Sequence, residues 1–285
     1  MLRRHRKASS PETGGASRLL HQPIGSDMSA LILERVMRND RAVVAVGLLL
    51  VLVLSWAYLL AGAGTLQDMG DMLMPMSAGP WTLRQAIIML VMWAVMMVAM
   101  MLPGAAPMIL LYAVIARGHP TERKPASMSG FFASGYVLVW SAFSVGAVAL
   151  QFALEKVSIL SPMMKISGTT LAGAVLIAAG LYQWTPLKQA CLKHCRSPLE
   201  FVLTRWRDGA GGAFLMGVEH GSYCVGCCWA LMLLLFVGGV MNMAWVAGIA
   251  LFVLLEKMVP GGHWMGRFAG VVLIGWGLTT LLLTA

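Results

Sequence analysis

The sequence predicts an all-α fold: a polytopic transmembrane helix bundle of about seven spans, N-terminus inside. The span count falls to six if the short sixth segment is re-entrant. Three observations carry this. Hydrophobic residues make up 59% of the 285-residue chain and charged residues 12%, about half the charge of a soluble domain. Mean hydropathy is +0.77, and apolar runs of about 20 residues, enough to cross a bilayer, recur along the chain. Lys and Arg fall unevenly on the connections between those runs: 18 on one side and 3 on the other. The basic side is cytoplasmic by the positive-inside rule.

Taken in order, residues 1–41 are polar and basic and lack the short apolar core of a signal peptide, so they read as a cytoplasmic tail. Residues 31–38 are expected to form a short surface helix. The transmembrane helical domain is 42–285. Its apolar segments are 42–63, 84–117, 130–155, 168–186, 211–240, 243–257 and 265–284. The second is too long for one straight crossing, and Pro103 and Pro107 are expected to kink or break it. The sixth is the shortest. The net charge of +9 is explained by the inside connections and does not call for nucleic acid.

Three groups of residues carry chemistry. The first lies in the fifth segment, Gly217-Val-Glu219-His220-Gly-Ser-Tyr223-Cys224-Val-Gly-Cys227-Cys228-Trp229. At about 100° per residue, His220, Cys224, Cys227 and Cys228 fall within an arc of about 100°. Imidazole and thiolate are ligands for soft and borderline ions, and an imidazole inside a span marks a functional site. Glycines beside them admit a second helix closely. The second group is Cys191-Leu-Lys-His194-Cys195, on the inside after the fourth span. Cys191 and Cys195 are one helical turn apart, and neighbouring Lys and Arg favour thiolate. The third is rich in methionine, of which the chain has 23. The outside loop holds Asp68-Met69-Gly-Asp71-Met72-Leu-Met74-Pro75-Met76. On the second helix Met92, Met96, Met89 and Met100 share an arc of about 80°, with Met97 and Met101 on another face. Thioether selects Cu(I), although methionine is also adaptable core filler. Glu219, Glu256 and His263 are further candidates. Glu256, followed by Lys257, reads as an interfacial ion pair, and His263 shares the inside face with Cys191 and His194.

These segments resemble an uncharacterised bacterial family of predicted metal-binding integral membrane proteins, a domain-of-unknown-function family. The matching residues are Met92-Trp93-Ala-Val-Met96-Met97-Val-Ala-Met100-Met101-Leu-Pro103, the run from Tyr182 to Cys195, and Gly217 to Trp229. The likeness covers residues 85–285. It implies a multi-pass protein that binds metal, and no reaction. The vicinal pair Cys227-Cys228 leaves open which of the two is the ligand.

The expected function is therefore binding of a soft transition metal, foremost copper(I), for transport, transfer or cuproenzyme loading. The expected setting is the bacterial plasma (inner) membrane. Its partners are the lipid bilayer and a membrane or extracytoplasmic metalloprotein. Zinc and haem fit less well: thioethers disfavour zinc, and His220 has no second intramembrane histidine as an axial partner. A membrane thiol–disulfide or electron relay is the alternative, since Cys224 and Cys227 have C-x-x-C spacing. A structural or assembly subunit is a third. Whether the chain is an enzyme is open. Ser222 and His220 project about 200° apart on one helix, so they cannot form a nucleophile–base pair, and no phosphate-binding loop is present.

Overall fold

A computed structural model describes residues 24–63, 66–68, 73–75, 81–118, 125–161 and 164–283. The chain divides into two units, residues 1–39 and 40–285. In the first, the described residues are helical; they open α1 (Ile24–Leu60). The second holds a short antiparallel ribbon, β1 (Leu66–Asp68) and β2 (Leu73–Pro75), with Gln67 opposite Met74. It continues with eight helices among the described residues. They are α2 (Leu83–Arg117), α3 (Pro125–Lys156), α4 (Thr169–Tyr182), α5 (Pro186–Arg196), α6 (Pro198–Arg205), α7 (Gly209–Gly238), α8 (Met243–Met258) and α9 (Gly262–Leu282).

The helical class is as the sequence predicts. Five helices are long and apolar enough to cross a membrane, in α1, α2, α3, α7 and α9, and six if α4 and α5 together make one broken span. Seven straight crossings are not present among the described residues. The sixth segment is one reason and the fourth is the other. The helix of the fourth stops at Tyr182, turns by 63° and resumes at Pro186. Thr185 takes an extended backbone (ψ 144°), as a residue before proline prefers, and its hydroxyl caps the new helix by accepting from the Lys188 amide. The sixth segment, α8, has 16 residues, which at 1.5 Å per residue is about 24 Å. It is short for a full crossing.

The second segment is not broken. α2 runs 35 residues without a break although Pro103 and Pro107 lie inside it. Each proline removes one helix amide and costs about 3 kcal/mol. Against that, Met92, Trp93, Met96, Met97, Met100, Met101, Ile109 and Tyr112 are all buried on this one helix. In a bilayer the gain is close packing and not release from water, and the backbone groups freed by the prolines are re-satisfied by neighbouring helices and local adjustment.

α7 is the other buried helix, and α3 lies against it. The two backbones meet at glycines. A Cβ on Gly217 would overlap the Phe132 carbonyl, and one on Gly135 the Phe214 carbonyl. This is the close approach that small residues permit between apolar helices. At the end of α3 the buried Gln151 ties the bundle together. It accepts from Trp93 Nε1 (2.8 Å) and donates to Glu155 (2.8 Å), whose other oxygen accepts from Trp81 Nε1 (2.6 Å).

Candidate metal centre

The turn between α4 and α5 lays α5 along the middle of α7. Tyr182, at the end of α4, donates its hydroxyl proton to the Gly226 carbonyl. Gly226 also makes room for Cys191: a Cβ there would lie 2.7 Å from the Cys191 sulfur. One turn on, Cys195 Sγ stands 4.0 Å from Cys227 Sγ. The two cysteine groups that are 32 residues apart in sequence therefore form one cluster. All five cysteines are free thiols, four of them buried and Cys191 half-buried.

Cys224 is the hub. The thiols of Cys195, Cys227 and Cys228 are its electrostatic neighbours, and those of Cys227 and Cys228 donate to its backbone carbonyl. Lys257 of α8 donates to its sulfur at 2.8 Å. The Tyr136 hydroxyl of α3 lies 3.0 Å from the same sulfur and also donates to the Met101 carbonyl at 3.0 Å. Cys228 Sγ lies 3.8 Å from Met101 Sδ. His220, one turn before Cys224, is buried among the rings of Phe132, Tyr136 and Phe201, and its Nδ1 has no hydrogen-bond partner among the described residues. A buried imidazole nitrogen left unpartnered is costly, and ligation of an ion would satisfy it.

The centre is assembled but not drawn together. Among the described residues no three His, Cys, Asp or Glu side chains form a ready-made ion-holding group. The thiols of Cys227 and Cys228 are turned back along the helix, both donating to the Cys224 carbonyl at 3.1 and 2.8 Å. Such local bonds compete with other partners.

The other predicted ligands are elsewhere. His194 stacks on Tyr223 with ring centroids 4.3 Å apart, and its Nδ1 contacts the Ala190 carbonyl. Glu219 pairs with Arg205 (2.8 Å) and Arg207 (3.7 Å). His263 lines a surface pocket with Gln189, Lys193 and Arg196. Met92, Met96 and Met100 are buried, as a core stripe would be, but the methionine that reaches a thiol is Met101, on the face the helical arc had set aside. Met69, Met72 and Met76 of the loop cluster, and the side chain of Met74, lie outside the described residues.

Glu256 corrects the expectation of an interfacial pair. It is buried and bonds Lys188 at 2.6 Å, with neither side chain more than 1% exposed. Lys188 also donates to Gln183. Glu256 and Lys257 are adjacent, so on a helix they point about 100° apart. One serves the Lys188 pair and the other the thiols. Lys257, Tyr136 and Met101 were missed from sequence. The available signal was two adjacent ionisable residues closing an apolar helix.

No curated protein and no solved structure shows a significant match to this chain. A family model does, that of PpoB2, described as a copper chaperone, and it matches residues 90–280. That stretch is two thirds of the chain and holds every residue of the thiol cluster, so the chain belongs to the PpoB2 copper-chaperone family.

Proposed function

We propose that this protein is an integral membrane copper chaperone of the bacterial plasma membrane, N-terminus inside. In this reading it holds Cu(I) at the buried sulfur cluster and yields it to a copper-requiring partner. The observation that carries the reading is the meeting of α5 and α7 thiols, Cys195 against Cys227, next to Cys224, with Met101 beside Cys228 and His220 one turn before Cys224. Thiolate and thioether together are a soft donor set that favours Cu(I). Binding needs Cys227 or Cys228 to rotate away from the Cys224 carbonyl. Each such bond is worth about 1 kcal/mol, so the centre closes on the ion at small cost and reopens as readily. That suits transfer better than storage. The broken α4–α5 segment beside the cluster fits as well, because discontinuous helices border binding sites in membrane transport proteins.

The experiment is a Cu(I) titration of the protein, purified in detergent under reducing, anaerobic conditions, against a chromogenic Cu(I) chelator. The expected result is one or two equivalents held against the chelator. Failure to take copper from the chelator at any concentration would overturn the reading.

A second reading draws on one distance. Cys195 and Cys227, 4.0 Å apart on different helices, are placed for a reversible disulfide, which closes to about 2.05 Å. Alkylation trapping in cells tests it: a fraction oxidised at this pair supports a thiol relay, and five permanently reduced thiols exclude it.

A further inference from the structure

Lys257 is buried, 8% exposed, with its ammonium 2.8 Å from the Cys224 sulfur. The other buried lysine, Lys188, has its counter-charge in Glu256. Among the described residues no carboxylate lies within ion-pair distance of Lys257. The groups that face it are the thiols of Cys224, Cys227 and Cys228 of α7, Tyr136 of α3 and the backbone at Gly104 of α2, against which its aliphatic stem packs. A buried charge is tolerated when something nearby cancels it. Here only the sulfur centre, or what it holds, is placed to do so.

We propose that Lys257 balances the charge of the loaded centre and so makes it select a monovalent soft ion over a divalent one. This rests on the copper site proposed above. Two sulfurs hold the ion as thiolates, and any proton they still carry leaves to water as the ion arrives. Two thiolates and Cu(I) together carry one negative charge, which the ammonium cancels. A divalent ion on the same two thiolates leaves one positive charge buried and uncancelled. Neutrality would then demand a third thiolate and the rupture of a further thiol–carbonyl bond. Lys257 acts through Cys224 and is a positioning residue, not a ligand.

Silver(I) and cadmium(II) separate charge from softness, since both are soft ions with a filled d shell. Their affinities are measured for the full-length protein in detergent and for Lys257→Met and Lys257→Arg, with thiolate-to-metal absorbance as the readout for cadmium. The expected result is a silver-to-cadmium preference that falls by roughly tenfold or more in Lys257→Met, the scale of one unit charge acting over a few ångströms. Lys257→Arg retains the preference. An unchanged ratio in Lys257→Met overturns the proposal. Should that variant fail to fold, thiols protected from alkylation are counted in the wild type: two per silver and three per cadmium are expected, and equal numbers overturn it. Loss of the copper site itself reads differently: silver binding would then be indifferent to Cys224→Ala.

Discussion

Cys224→Ala is expected to abolish tight Cu(I) binding, with a loss greater than the roughly 10–100-fold caused by removing an outer partner of a metal ligand. The reason is geometric. Cys224 is the thiol whose sulfur meets both Lys257 and Tyr136, and it has Cys195, Cys227 and Cys228 as electrostatic neighbours. Its removal leaves Cys195 and Cys227 facing each other without their hub. Cys191→Ala serves as the comparison. Cys191 is half-buried against Gly226, and its loss is expected to cost little. Met96→Leu with Met100→Leu keeps side-chain volume and removes sulfur, and equilibrium affinity should be nearly unchanged because Met101 is the thioether beside Cys228. Competition titrations with a Cu(I) chelator measure all three. Equal affinities for Cys224→Ala and wild type would remove Cys224 from the centre.

The largest effect on stability is expected at the neighbouring ion pair. Lys188 and Glu256 are joined at 2.6 Å and are almost wholly buried. Removing one partner of such a pair typically costs about 3–5 kcal/mol, because the other charge stays buried and unpaired. Glu256→Ala should therefore lower folded yield and the unfolding midpoint in detergent. It also loosens α5 against α8, the arrangement that carries Cys195 and Lys257 to the centre. Lys188→Met with Glu256→Leu removes both charges and is expected to recover most of the loss. A double replacement as unstable as the single one would mean that the pair acts through shape and not through charge.

The helical class was legible because its signal is repeated: long apolar runs and basic connections recur along the chain. The cysteines on α7 were legible for a similar reason, since helical periodicity puts His220 and the three thiols on one buried face. What periodicity could not supply was the partner of that face. The turn at Thr185-Pro186 folds Cys195 onto Cys227, and a single helix wheel contains no information about a neighbouring helix. The same limit explains Met101. It lies off the methionine stripe, yet α2 is buried on several sides and more than one of its faces meets protein. His194, Glu219 and His263 have the right chemistry in the right stretch of sequence, and the structure places them in an aromatic stack, an arginine pair and a surface pocket, surroundings that a sequence does not show. Glu256 and Lys257 read as one pair in sequence because they are adjacent, and adjacency on a helix is what separates them.

X-ray absorption at the copper edge on the Cu(I)-loaded protein, beside the Cys195→Ser, Cys224→Ser double replacement, tests the sulfur centre itself. The expected spectrum of the wild type is that of a sulfur-dominated, low-coordinate Cu(I) centre, lost in the double replacement. A centre of nitrogen and oxygen donors, or a sulfur signature that survives both replacements, would contradict it.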